Sequence, residues 1–139
     1  MLTEVRAAGF LLFRRKEHVE FLLLQASYRD HHWSPPKGHV ENGEDDLTAA
    51  YRETSEEAGI NRNQICIQDF KEQLHYSVDG KPKIVSYWLA ELIDKDFQVT
   101  ISHEAQDYKW AEINEACRLA HFPDMQALLT RAYEHLSKK

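Results

Sequence analysis

Short apolar stretches separated by polar turns run along most of the chain. Two of them, residues 7–13 and 19–25, flank a polar segment, which predicts a β-hairpin. Asp79-Gly80 is a strong signal for a second hairpin turn. The remaining strands are predicted at 64–70, 73–78, 83–92 and 108–111, and two C-terminal helices at 113–120 and 124–136.

The segment 26–43 is rich in histidine, proline and glycine, and it interrupts this pattern. We expect irregular structure there, and a loop of this length in a compact domain is usually functional. Residues 44–58 are predicted to form a helix, because acidic residues open it and Gly59 follows as a stop signal. Positions that should face the core recur at three- and four-residue spacing: Leu47, Ala50, Tyr51, Thr54 and Ala58.

These elements predict an α+β fold in which a mixed β-sheet lies between α-helices, within a single domain spanning residues 1–139. The length of 139 residues suffices for one such core. A net charge of −6 speaks against a protein that binds a long nucleic-acid backbone. A small polyanionic ligand would therefore have to be held by bound cations and a few basic side chains.

Several features favour an intracellular location. No apolar stretch approaches the roughly 20 residues that a membrane span needs, and Glu4 and Arg6 interrupt any signal-like start. Cys66 and Cys117 match no metal or redox spacing, so we expect reduced core residues, with a disulfide as the less favoured alternative. We expect a cytoplasmic monomer, with the nucleus as a second possible compartment.

Three glutamates crowd the end of the predicted helix 44–58. Glu53 and Glu57 share a face, Glu56 lies beside them, and such like-charge pairs cost about 0.2–0.5 kcal/mol each. Arg52 can relieve Glu56, but it cannot neutralise all three. A divalent cation with oxygen ligands would resolve the conflict. From spacing alone, however, a solvated helix face is the favoured interpretation.

A longer pattern around these glutamates reverses that interpretation. It resembles the Nudix box, which runs glycine, five residues, glutamate, seven residues, then Arg-Glu-x-x-Glu-Glu-x-Gly and an aliphatic residue. The one departure is Thr54, where the pattern usually has a bulky aliphatic side chain. All other defined positions are filled: Gly38, Glu44, Arg52, Glu53, Glu56, Glu57, Gly59 and Ile60.

The resemblance implies a hydrolase that breaks a P–O–P bridge by attack of water at phosphorus, with Mg²⁺ or Mn²⁺ as cofactor. Glu53, Glu56 and Glu57 would be the metal ligands, and the carbonyl of Gly38 would be a further one. Arg52 and Glu44 would orient these ligands without touching the substrate.

Flanking blocks are similar to the animal-type asymmetrically cleaving dinucleoside tetraphosphatases. This resemblance implies hydrolysis of diadenosine tetraphosphate to ATP and AMP. The alternative within the same enzyme class is a substrate such as an RNA 5' end or another nucleoside diphosphate derivative. A non-catalytic nucleotide-binding module is the third hypothesis, which the intact glutamates disfavour. The blocks are residues 21–27, 31–39, 80–83, 87–90 and 102–104, with Trp110.

A tetraphosphate chain needs positive charge beyond its metals, and His32, Lys37, Lys81 and Lys83 can supply it. His32 and Lys37 enter the box, which favours phosphate contact. For Lys81 and Lys83, a solvated hairpin would be the preferred interpretation without the resemblance.

Adenine requires flat apolar contacts on its two faces. The resemblance implies Tyr76 and Phe122 as the clamp, with core packing as the alternative for each. Tyr28, His39 and Tyr87 could line the same cleft. The three tryptophans, Trp33, Trp88 and Trp110, are assigned to packing.

Glu104 follows Ser102-His103 on a predicted loop, where an isolated glutamate is normally solvated. The resemblance implies that Glu104 reaches the metal site and is a candidate general base. Glu57 is the competing candidate, and a carboxylate beside bound cations is a weak base, so the metal must do most of the activation.

Overall fold

The computed structural model describes residues 4–138. Seven strands, three α-helices and one short 3₁₀ turn (Arg62–Gln64) make up the fold. In chain order the elements are β1 (Val5–Arg15), β2 (Val19–Ala26), β3 (Trp33–Ser34), β4 (Lys37–His39), α1 (Asp46–Ala58), β5 (Ile65–Val78), β6 (Lys81–Leu92), β7 (Ala105–Ala111), α2 (Ile113–Ala120) and α3 (Pro123–Ser137).

The sheet is mixed, as the pattern predicts. Its main order is β3-β2-β1-β6-β5, with β4 paired to β1 and β7 paired to β2. Strand β1 runs parallel to β6 and antiparallel to β2 and β4, so it is the centre of the sheet. Residues 7–13 of β1 are all buried, which explains the unbroken apolar run because both faces of this strand are covered.

Helices cover both faces of the sheet. Alternate residues of β1 divide between two apolar clusters, because successive side chains of a strand point to opposite faces. Phe10 and Leu12 pack on the α1 side, whereas Leu11 and Phe13 pack on the side of α2 and α3. The predicted α+β architecture is confirmed. No helix within residues 4–138 has the length and apolar character to cross a membrane.

A chain of hydrogen bonds centred on the buried Ser86 fastens the start of α1 to the sheet. Gln73 of β5 donates to the Ser86 hydroxyl, which donates to the Asp46 carboxylate, each over 3.0 Å. Arg6 of β1 donates to the same Asp46 oxygen at 2.7 Å. Three strands therefore hold the first residue of α1, and Ser86, which joins them, is fully buried.

Two predictions on the secondary structure are wrong. Segment 26–43 is not wholly irregular, because β3 and β4 lie within it and are held by pairing with β2 and β1. Residues 64–78 do not form two strands: β5 is continuous and changes register between Ile67 and Lys71, where the pairing with β6 is irregular.

Two further expectations need correction. Glu44 lies outside α1, and the helix is capped by Asp45, whose carboxylate accepts from the Thr48 amide at 2.8 Å. Neither cysteine is a core residue: Cys66 is exposed and Cys117 is half-buried, and both thiols are free. Gly59 does end α1, in the left-handed conformation with φ 70°.

Thr54 is fully buried against the sheet, and its hydroxyl oxygen has no hydrogen-bond partner among the described residues. A buried hydroxyl without a partner destabilises a protein by roughly 1–3 kcal/mol. We therefore expect Thr54→Val, which keeps the shape, to raise the melting temperature measured by calorimetry without changing activity. The exposed Thr130, which donates to the Gln126 carbonyl at 2.8 Å, provides the control, and Thr130→Val should give no gain. A lower melting temperature for Thr54→Val would contradict this account.

Candidate active site

A cavity of about 1370 Å³ opens beside the C-terminal half of α1. Its walls come from β4, the hairpin of β5 and β6, the loop before β7 and the start of α3. All predicted site residues line it, although they are spread over most of the chain: Tyr28, His32, Lys37, Gly38, Glu53, Glu56, Glu57, Tyr76, Lys81, Lys83, Tyr87, Glu104 and Phe122. His39 lines it as well.

Glu53, Glu56 and Glu57 form the acidic end of this cavity. Arg52 contacts the first two of them and ties them to the rest of the fold. Its guanidinium binds Glu44 with two hydrogen bonds of 2.8 and 3.0 Å. A third nitrogen donates to Glu53 at 2.8 Å and to Glu56 at 3.2 Å. Nη2, one of the two nitrogens that bind Glu44, also donates to the carbonyl of His39 at 2.9 Å, which ties α1 to the end of β4. One cation thus fixes the geometry of Glu53 and Glu56.

Glu44 acts as the anchor for Arg52 from outside the helix. The hydrogen bonds from Arg52, then one from the Glu41 amide, lower the pKa of Glu44 to about 2. Glu44 therefore remains charged at any physiological pH. This geometry matches the orienting position that the box pattern implies for Glu44 and Arg52.

Gly38 leaves room for the carboxylate of Glu53. A Cβ atom at position 38 would lie 2.0 Å from Glu53 Cδ and 2.2 Å from its Oε1. Gly38 pairs with Ala8 of β1, so the backbone of β4 cannot easily move away. The glycine thus lets a charged side chain of α1 lie flat against the strand.

Glu57 is the buried member of the acidic group. One of its oxygens accepts from the backbone amide of Lys37 at 3.2 Å. Burial, reinforced by the nearby charge of Glu53, raises the pKa of Glu57 to about 8, although Lys37 opposes the shift. A carboxylate placed in this environment is destabilised when charged, unless a cation joins it.

The donor set fits a hard divalent cation. Glu53, Glu56 and Glu57 present carboxylate oxygens, and Arg52 neutralises the first two only in part. Within residues 4–138, no three acidic, histidine or cysteine side chains already converge as a closed metal cluster. Arg52 holds Glu53 and Glu56, whereas Glu57 points into the cavity wall beside Lys37. A bound cation would draw these oxygens together.

Glu104 faces Glu57 across a small space. A cavity of about 30 Å³ lies between them, bordered by Tyr28, His32 and Lys37. That volume accommodates about one water molecule. The backbone around Glu104 is fixed, because its carbonyl accepts from the Ser27 amide at 3.0 Å. Glu104 therefore lines the same small space as Glu57. The role at the metal site that the resemblance implies for Glu104 stays a prediction.

Basic side chains line the cavity next to the acidic end. Lys37 lies against Glu57, and Lys83 and Lys81 follow on β6. Burial lowers the pKa of Lys83, and the charges of Lys37 and Arg29 lower it further. His32 is half-exposed and contacts Asp30 at 3.1 Å. The charges of Lys37 and Arg29 are close enough to act on Lys83, which favours an anion between them.

Aromatic side chains form the remaining wall. Of the four large hydrophobic residues exposed in the described part of the chain, three line this cavity: Tyr28, Tyr76 and Phe122. Phe122 is 48% exposed, so core packing does not explain the presence of an aromatic side chain at this position. Tyr87 is instead buried, and burial followed by the charge of Tyr76 raises its pKa well above the usual value.

Four charged residues of the cavity were missed by the sequence reasoning: Arg29, Asp30, Asp79 and Asp124. Arg29 and Asp79 pair with each other, with 3.6 Å between Nη2 and Oδ2. Arg29 belongs to no recognisable motif, and Asp79 was predicted only as part of the Asp79-Gly80 turn. The signal in the sequence was position: Arg29 directly follows Tyr28, and Asp79 lies two residues before Lys81. Tyr28 and Lys81 are both predicted substrate contacts.

Comparisons with known proteins agree with this geometry. A family model described as the NUDIX domain matches residues 3–133. The chain is 50% identical over 140 residues to the bis(5'-nucleosyl)-tetraphosphatase (asymmetrical) of Sus scrofa, with 95% of each protein covered. It is 50% identical over 129 residues to the protein of that name from Caenorhabditis elegans, covering 91% of this chain and 93% of the other. A crystal structure of a C. elegans Ap4A hydrolase binary complex matches with a TM-score of 0.94 at 47% identity, covering 97% and 99% of the two chains.

The contact between Gly38 and Glu53 generates a prediction. In Gly38→Ala the new methyl group should displace the flexible end of Glu53 and leave the backbone intact, because the clash is with that side chain. We expect affinity for Mn²⁺, measured by calorimetric titration, to fall about tenfold or more while the melting temperature changes little.

Gly80→Ala is the matched control. Gly80 has φ 78° and open space around its Cα, so alanine there costs stability through backbone strain and leaves Glu53 untouched. The two variants should therefore differ in what they lose: Gly38→Ala should lose metal affinity, and Gly80→Ala should lose stability. Equal Mn²⁺ affinity in Gly38→Ala and the parent protein would refute the proposed role of this contact.

Proposed function

The chain belongs to the Nudix hydrolase family, and from that premise we propose that it hydrolyses diadenosine tetraphosphate to ATP and AMP. Nudix hydrolases use divalent metal ions, and we propose Mg²⁺ here, with Mn²⁺ as a substitute. The observation that carries the proposal is the composition of the cavity. Its acidic end, its lysines and its exposed aromatics match the metals, phosphates and base of a dinucleoside polyphosphate.

The acidic end supplies the reactive geometry. Glu53, Glu56 and Glu57 would hold the cation, which polarises the scissile phosphate and lowers the pKa of the attacking water when bound. Arg52 keeps these carboxylates in place through its anchor on Glu44. The small space between Glu57 and Glu104 would hold the water, and either carboxylate could accept its proton.

The rest of the cavity would position the substrate. Lys37 and Lys83 neutralise phosphate oxygens, and Lys81 and His32 extend the same positive wall. Tyr76 and Phe122 would stack on an adenine, assisted by Tyr28. The water oxygen forms a bond to phosphorus, the P–O–P bridge breaks, and the bridging oxygen leaves with the other nucleotide.

We further propose a cytoplasmic monomer, with the nucleus as a second compartment. The free thiols of Cys66 and Cys117 support a reducing environment. No stable complex with nucleic acid is proposed, because the net charge of −6 offers no extended basic face.

Product analysis tests the proposed reaction directly. Incubation with diadenosine tetraphosphate and Mg²⁺, followed by chromatography, should give ATP and AMP in equal amounts, and chelation of the metal should stop turnover. Formation of two ADP molecules would exclude asymmetric cleavage. Faster turnover of a 5'-triphosphorylated RNA than of the dinucleotide would favour the alternative substrate class.

Glu57→Gln tests the acidic end. The amide has the shape of the carboxyl group and suits a buried environment, so we expect the variant to fold. Its kcat should fall by at least about a thousandfold, because the amide removes a charged metal ligand. Nucleotide binding, followed by fluorescence or calorimetry, should largely persist. The exposed Glu134 on α3 is the control, and Glu134→Gln should keep full activity. Unchanged turnover in Glu57→Gln would contradict the assignment of this site.

A further inference from the structure

Two separate segments meet at the rim of the cavity. One is the loop 27–32 and the other is the turn between β5 and β6, here called the rim loop and the rim turn. The Arg29 guanidinium of the rim loop lies 3.6 Å from the Asp79 carboxylate of the rim turn. Both side chains also line the cavity, so the pair lies where a substrate has to pass or rest.

The backbone conformation sets the positions of both Arg29 and Asp79. Arg29 and His31 each have φ 55°, a left-handed conformation that is uncommon for residues other than glycine. The rim loop is closed by hydrogen bonds from the His31 amide to the Tyr28 carbonyl and from the Ala26 amide to the His32 carbonyl. Asp79 has φ 53° in a two-residue turn, so its position is also set by the backbone.

The pair itself is weak. The Arg29 side chain is 63% exposed and that of Asp79 is 78% exposed, so water screens the attraction. The separation of 3.6 Å is longer than a direct hydrogen bond. An arrangement that held the fold together would be shorter and better buried. Arg29 can therefore exchange Asp79 for another anion at little cost.

The surroundings indicate which anion this is. Lys37 lies against Glu57, and Lys83 is close enough to both Lys37 and Arg29 for their charges to lower its pKa, after the effect of burial. Lys37, Lys83 and Arg29 thus all line the same cavity as the acidic end, and Lys83 lies near both of the others. A guanidinium pairs with two phosphate oxygens at once, which suits the far part of a phosphate chain.

We propose that Arg29 leaves Asp79 and binds the phosphate chain of the substrate, so that Asp79 competes with the substrate for this arginine. Arg29 then favours long phosphate chains, because a shorter chain anchored at the acidic end does not reach it. The inference rests on the proposed dinucleoside polyphosphate substrate and adds a residue that selects among such substrates.

Neutral variants of the two partners should act in opposite directions. Arg29→Gln should raise the KM for diadenosine tetraphosphate roughly fivefold at unchanged kcat, because one charge-assisted contact is lost. Asp79→Asn, which tolerates the left-handed turn, should lower the KM about twofold, because the competitor is removed. The double variant should resemble Arg29→Gln alone.

Chain length provides a second readout. The preference for diadenosine tetraphosphate over diadenosine triphosphate, expressed as the ratio of kcat/KM, should shrink in Arg29→Gln and persist in Asp79→Asn. Arg118→Gln is the matched control, because Arg118 is an exposed arginine with a glutamate partner on α2, away from the cavity. It should leave both KM and the length preference unchanged.

A purely structural ion pair predicts a different result. Both single variants would then raise the KM or lower the melting temperature together, and that outcome would overturn the exchange. Titration with inorganic tripolyphosphate tests the same point without turnover: Arg29→Gln should bind it more weakly than the parent, and Asp79→Asn more tightly. Equal or absent binding in all forms would also overturn it. Failure of the parent enzyme to cleave the dinucleotide would instead refute the proposed function.

Discussion

The sharing of one guanidinium among several carboxylates is the constraint on which this site depends. Arg52 contacts Glu44, Glu53 and Glu56. The hydrogen bonds to Glu44 and Glu53 raise the pKa of Arg52, so it is permanently charged. The carboxylates outnumber it, and Glu57 is left without an ionic partner of comparable strength. The surplus negative charge destabilises the end of α1 when no cation is bound. The same charge suits this end of the helix to binding a divalent cation.

The strand β6 connects this acidic helix to the wall of the cavity that carries Lys83 and Tyr87. Lys83 and Tyr87 line the cavity from one face of the strand, whereas Ser86 points to the opposite face and holds Asp46 at the start of α1. Alternation of side chains along a single strand therefore sets the positions of both partners. The proposed metal ligands on α1 and the proposed substrate contacts on β6 are therefore positioned by the same strand.

The parts of the site that could be predicted from the sequence are those that depend on local spacing. The glutamates of α1 and Gly38 belong to one continuous pattern, and the Asp79-Gly80 turn has its own chemistry. Tyr76, Phe122 and Glu104 are far apart in the chain, and only the family resemblance pointed to them. The short strands β3 and β4 escaped prediction, because pairing with β2 and β1 creates them and their own residues carry no strand pattern. The pair of Arg29 and Asp79 escaped for a similar reason, since tertiary structure alone brings these two exposed residues together.

The attachment of Ser86 to Asp46 also restricts how such an enzyme can diverge. A one-residue insertion or deletion within β6 would turn every following side chain to the opposite face of the sheet. Ser86 would then point away from Asp46 of α1, and Tyr87 would point away from the cavity. Descendants of this protein can therefore change substrates most readily by replacing side chains at the rim, where Arg29 and Asp79 lie, while the length of the central strands is inherited unchanged.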